Sequence, residues 1–150
     1  MHWMRKGKMV EVVEFKKDIP RLKTETVYII QCETGQIKIG KSKNPVKRLN
    51  ELQTGSPHLL ELIYIFKDFP VGTEEVFHNF YSDQLIRNEW FTEDVLEDIW
   101  DALFYDDFLK VVYEFDYTKP SYKNSLFSKA EYFFRNSLLS KKHEDTQNGI

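Results

Sequence analysis

From Val27 to Cys32 the chain runs through β-branched, aromatic and apolar residues, and after Glu33-Thr34-Gly35-Gln36 it resumes with Ile37 and Ile39 alternating against Lys38. That pattern about a short polar turn predicts a β-hairpin. Asn44-Pro45 then supplies a helix cap followed by proline at the first helical position, and Val46, Leu49 and Leu52 form a narrow apolar stripe that ends at Gly55. Leu59 to Lys67 has the composition of a third strand, broken by Pro70 to Gly72. A second helix is expected from Thr73, burying Val76, Phe77, Phe80, Tyr81 and Leu85 on one side. Within it Glu74, His78 and Tyr81 fall at i, i+4 and i+7 and share a face. Thr92 caps a third helix with Glu93 and Asp94 in its first turn and Leu96, Ile99, Trp100 and Leu103 as its buried positions.

The two ends read differently. Residues 1 to 25 mix Lys and Arg with scattered apolar residues and are interrupted by Pro20, which predicts a basic arm holding at most one short element. After the domain expected over 26 to 99, Val111, Tyr113, Phe115 and Tyr117 alternate with Lys110, Val112, Glu114 and Asp116, the pattern of a fourth strand with one wet face. Leu126, Phe127, Ala130, Phe133, Phe134 and Leu138 predict a closing amphipathic helix. From Trp100 onward the chain carries 12 of its 23 aromatic residues, so the segment 100 to 141 is expected to pack over the preceding domain or to offer an interface to a protein partner or a second copy. Residues 142 to 150 lack apolar periodicity and read as a flexible tail.

Composition changes this picture in one respect. The net charge of −3 argues against a protein that lives on the phosphate backbone, but residues 1 to 50 hold 12 basic against 5 acidic side chains, and residues 51 to 150 hold 9 against 19. The halves therefore carry +7 and −10. Among 150 residues no apolar run is long enough to span a membrane, and none at the start has the length of a secretory h-region, so a cytoplasmic or nuclear protein that is not secreted is expected. The single cysteine, Cys32, excludes an intrachain disulfide and a multi-cysteine zinc site, and is expected to be a buried strand residue.

The hairpin and the residues after it carry a resemblance. Val27-Tyr28-Ile29-Ile30, then Ile37-Lys38-Ile39-Gly40-Lys41-Ser42, Lys47-Arg48-Leu49, Leu52-Gln53-Thr54-Gly55-Ser56-Pro57, Glu74 with Phe77-His78, and Asn88-Glu89-Trp90-Phe91 occur in the order of the GIY-YIG nuclease superfamily. Within it the stretch 26 to 99 is similar to the branch named for a phage open reading frame and a meiotically up-regulated yeast gene. The resemblance implies an α+β fold, a small antiparallel three-stranded sheet flanked by helices. It also implies an endonuclease site on DNA that uses one divalent metal, Mg²⁺ or Mn²⁺, in a phage, mobile-element or genome-maintenance setting. By motif position Tyr28 matches the tyrosine of the first signature, Lys38 stands in place of the second tyrosine, Arg48 matches the helix arginine, and Glu74 matches the metal-binding glutamate. The first signature lacks its glycine, reading Thr26-Val27-Tyr28, and the second reads Lys-Ile-Gly, which looks usual for this branch.

The chemistry of these side chains agrees with that implication. Phosphodiester hydrolysis needs an activated water, charge on the non-bridging oxygens neutralised, and relief for the leaving oxygen. Glu74 is a reasonable anchor for a hard cation that keeps several waters, and the Arg48 fork can hold a phosphate bidentately. Tyr28 can orient or deprotonate water only if a cation lowers a pKa that starts near ~10. Lys38, expected on a solvent-facing position, stabilises phosphate charge as an ammonium or acts as a base if desolvated. His78 assists proton transfer or bonds a neighbouring strand; His58 reads as a loop residue, and Glu89-Trp90-Phe91 as packing at a helix junction. Lys41, Lys43 and Lys47 complete a run of five basic residues without an acid between Gln36 and Asn50, suited to sequence-independent phosphate contacts. Two other readings stay open: a nucleic-acid-binding module on the same fold that does not cut, and a protein-interaction factor using the aromatic C-terminal segment and the acidic stretch 93 to 107.

Overall fold

In a computed structural model, which describes residues 2–5, 8–104 and 107–135 and the side chains over 10–104 and 109–130, the expected hairpin is formed by β3 (Thr24–Cys32) and β4 (Ile37–Lys41). The strands pair antiparallel with Tyr28 opposite Gly40 and Ile30 opposite Lys38, and Gly35 closes the turn at φ 109°. Helix α1 (Pro45–Thr54) begins where Asn44 accepts the Lys47 amide, and its narrow stripe rests Leu49 and Leu52 on the sheet while Val46 stays exposed. β5 (Leu60–Pro70) returns antiparallel beside β3, and α2 (Thr73–Phe80) follows at once.

The fold is α+β, but the sheet is larger than the three strands expected. Seven described strands run in the order β1-β2-β5-β3-β4-β7-β6, with β1 (His2–Arg5), β2 (Lys8–Glu14), β6 (Leu85–Arg87) and β7 (Trp90–Phe91) added to the predicted three. The stretch expected as a basic arm supplies two of them: Val12 and Val13 lie opposite Ile65 and Phe66 in the parallel pairing of β2 with β5, and Val10 is buried. Their apolar pattern is masked in the sequence by interleaved Lys and Glu. β6 and β7 are too short for any periodicity to register.

Both faces of the sheet are covered, which is why four consecutive β3 residues, Val27 to Ile30, are all buried. Val27, Ile29, Ile37 and Ile39 face a core completed by Val76 and Phe77 of α2, Val95 and Ile99 of α3 (Asp94–Phe104), Val111 and Val112 of α4 (Asp107–Tyr113), and Leu126 and Ala130 of α5 (Tyr122–Arg135). Tyr28, Ile30, Cys32, Leu62 and Ile65 face the opposite side, under α1. Cys32 is buried as expected.

Three local expectations are corrected. The strand expected over 111 to 117 is α4 and the turn after it: Val111 and Val112, adjacent in sequence, bury together in one core, and the buried Tyr117 hydroxyl donates to the Val112 carbonyl. Leu85 is exposed because α2 ends at Phe80 and the chain passes through a 3₁₀ turn, Ser82–Gln84, before entering β6. On α3 the buried set is Val95, Asp98 and Ile99, whereas Trp100 is 55% exposed; the face is rotated so that Asp98 accepts the hydroxyl of the fully buried Tyr81 at 2.8 Å. The closing helix is present as α5, with Leu126 and Ala130 buried; the side chains of Phe133 and Phe134, Leu138 and the tail 142 to 150 lie outside the described residues. Among the described residues no helix is long and apolar enough to cross a membrane.

Candidate active site

Side-chain parity along the hairpin decides what meets under α1. Tyr28, Lys38 and Gly40 all point to the face opposite Ile29, Ile37 and Ile39. Tyr28 is 2% exposed, and its ring lies across the backbone of its cross-strand partner: a Cβ on Gly40 would stand 2.3 Å from Oη and 2.5 Å from Cζ. Gly40 is therefore needed for space. Across from it, α1 is started firmly by the Asn44 cap, whose Oδ1 accepts the Lys47 amide at 3.1 Å while its carbonyl accepts the Arg48 amide at 3.0 Å. Arg48 is delivered one turn in, with its guanidinium close enough to the Tyr28 phenol to act on its pKa. Burial is the largest influence on that phenol and pushes its pKa above the ordinary value, with the Glu89 and Glu74 charges adding to it, although Arg48 pulls the other way. Tyr28 thus keeps its proton at neutral pH.

A second group assembles where α2 meets the open edge of β4. β7 covers that edge only at Ile37 and Lys38; beyond it the Ile39 amide donates to the Glu89 carbonyl at 3.1 Å, and His78 Nε2 donates to the Ile39 carbonyl at 2.7 Å. The imidazole also packs edge-on against Phe91, at 5.1 Å and 89°. Lys38 Nζ donates to Glu89 Oε2 at 2.6 Å and sits 5.8 Å from the centre of the Trp90 ring. One donor atom from each of Glu74, His78 and Glu89 lies within 4.8 Å of the other two.

The start of α2 is fixed by a residue from another strand. Gly72, at φ 106°, has no side chain to cap the helix, and the Glu25 carboxylate of β3 takes its place by accepting the Gly72 amide at 3.2 Å and the Glu74 amide at 2.9 Å. Lys41 Nζ approaches the same carboxylate at 3.9 Å. Burial raises the Glu74 pKa first; His78 and Lys41 oppose the rise, while Glu89 and Glu25 add to it.

Five residues singled out in the sequence, Tyr28, Lys38, Arg48, Glu74 and His78, thus stand in two adjoining groups linked through Lys38, Glu89 and the Ile39 backbone. Lys38 is not solvent-facing as expected: it is 8% exposed, enclosed by its pairing with Glu89 and the Trp90 ring. Lys41, Lys43 and Lys47 are exposed along the end of β4, the connection to α1 and its first turn. His58 is an exposed loop residue beside Glu33, at 3.4 Å. Glu89, which sequence reasoning assigned to packing with Trp90 and Phe91, belongs to the site, whereas Phe91 does pack and is fully buried. Asn88 before it, at φ 55°, makes the tight turn that directs Glu89 back to β4.

A family model for the T5orf172 domain matches residues 25–105. No curated protein and no solved structure matches the chain at a significant level.

Proposed function

Because the chain belongs to the T5orf172 domain family, a GIY-YIG-like nuclease-fold family named for a phage T5 reading frame, we propose that it is a metal-dependent endonuclease hydrolysing phosphodiester bonds in DNA. The observation that carries this reading is the grouping of a buried phenol beside an arginine with a lysine, two carboxylates and an imidazole on adjoining strands of the sheet and α2. The donor set Glu74, His78 and Glu89 fits a divalent cation, with Glu74 as its anchor. When bound, such a cation supplies Lewis-acid charge to the scissile phosphate and its leaving oxygen.

The chain's own residues supply the rest. Arg48 has five N–H donors, of which a long 3.4 Å contact to Glu51 occupies one, so its fork remains open to a non-bridging pair of phosphate oxygens. Tyr28, protonated and beside the Arg48 guanidinium, aligns the attacking water through its oxygen lone pairs and its own O–H. Lys38, held in place by Glu89, contributes fixed positive charge beside the reacting phosphate. Lys41, Lys43 and Lys47 come from the +7 half and the two carboxylates from the −10 half, so the backbone is drawn over one side of the site.

The test is supercoiled plasmid DNA incubated with the full chain in Mg²⁺ or Mn²⁺, beside the same mixture in EDTA. Nicking that requires the cation supports the reading. DNA that is retained at low salt and never cut in either cation refutes it in favour of a binding module.

A further inference from the structure

Glu89 brings a second carboxylate to within 4.8 Å of Glu74 and His78. Two carboxylates that close repel one another, and the Lys38 ammonium, bonded to Glu89 Oε2 at 2.6 Å, already shows that the pair draws positive charge. One oxygen of each carboxylate and one imidazole nitrogen meet at a half-buried site where positive charge is favoured. His78 strengthens this. A carbonyl can only accept, so the 2.7 Å contact to the Ile39 oxygen places the ring proton on Nε2 and leaves the lone pair of the neutral ring on Nδ1. An imidazole pinned through one nitrogen to a backbone carbonyl, and fixed in orientation by an edge-on aromatic ring, has the outer-shell arrangement typical of a metal-ligating histidine.

We propose that His78 and Glu89 complete a three-donor cation site around Glu74, and that the imidazole makes this site select a first-row transition divalent cation over Mg²⁺. The inference rests on the nuclease reading only for the role of Glu74 as anchor. The selectivity comes from donor chemistry: Mg²⁺ prefers oxygen ligands and sheds water reluctantly, whereas imidazole suits the series from Mn²⁺ to Zn²⁺. Two carboxylates and one nitrogen leave coordination positions open for water and a phosphate oxygen.

The probe is Mn²⁺ titrated into the full chain without DNA and followed by electron paramagnetic resonance, with Mg²⁺ as competitor. Binding of Mn²⁺ tighter than Mg²⁺ by roughly tenfold or more, and weakening of Mn²⁺ affinity by a similar factor in Glu89→Gln and His78→Gln, is expected. Pulsed spectra of the wild-type complex should show ¹⁴N coupling from a directly bound imidazole, a readout that needs no variant to fold. Absence of that coupling, or affinities within about twofold of wild type in both folded variants, overturns the site. A chain that shows the coupling and cuts no DNA upholds the site and sinks only the endonuclease reading; one that cuts DNA without the coupling does the reverse.

Discussion

Replacing Gly40 by alanine drives a methyl group into the edge of the Tyr28 ring. The new carbon would stand 2.3 Å from Oη, 2.5 Å from Cζ and 3.0 Å from Cε1. Ordinary contact needs about 3.5 Å, so the hydroxyl end of the ring must retreat by about 1.2 Å. A rigid ring that is 2% exposed and packed in one core with Ile30, Leu62 and Ile65 cannot absorb that by a rotamer change alone. Overpacking of this kind costs about 1–3 kcal/mol. The same displacement pulls the phenol from Arg48, and misplacement by about 1 Å at a reacting centre lowers rate by roughly a hundredfold. Urea unfolding followed by circular dichroism reads the first effect, and single-turnover nicking of supercoiled DNA reads the second. The control is Gly40→Ala in a Tyr28→Ala background, where the clash is gone and the added methyl should cost under about 0.5 kcal/mol. Gly40→Ala that unfolds within about 0.5 kcal/mol of wild type and nicks at the wild-type rate refutes the claim that Gly40 makes room for the phenol.

Glu25→Ala removes the carboxylate that caps α2 from outside, and by the usual worth of a cap it should lower stability by about 1 kcal/mol in chemical denaturation; an unchanged midpoint counts against that role. Glu74→Gln should stabilise the cation-free protein at neutral pH. The sign comes from linkage: burial, with Glu89 and Glu25, raises the Glu74 pKa, so the folded chain holds this proton more tightly than the unfolded one. The charged carboxylate therefore opposes folding above its raised pKa, and that penalty disappears as pH falls toward the ordinary 4.5. Thermal unfolding in EDTA should show Glu74→Gln melting above wild type at neutral pH, with the gap closing on acidification; a variant that melts lower throughout contradicts it.

What was legible in the sequence is what local chemistry decides. Asn44-Pro45 marked the start of α1 and hence where Arg48 stands, and helical spacing put Glu74 and His78 on one face. Glu89 was not legible because its position depends on a long-range backbone bond from Ile39 and a left-handed turn at Asn88, neither of which leaves a periodicity. The enclosure of Lys38 was hidden for the same reason, since it is made by β7, a strand of two residues. Over 111 to 117, alternation pointed to a strand although the adjacent Val111 and Val112 bury together in a helical layer. There a pattern of alternate apolar residues fits both structures, and only the surrounding helices decide.

Side by side single-turnover nicking by wild type, Arg48→Ala and Glu74→Ala, with DNA retention at low salt measured on the same samples, tests the central claim most directly. Cleavage that falls by roughly a hundredfold or more in both variants while retention changes little is the predicted result. Equal nicking by all three proteins would contradict a hydrolytic role for this site.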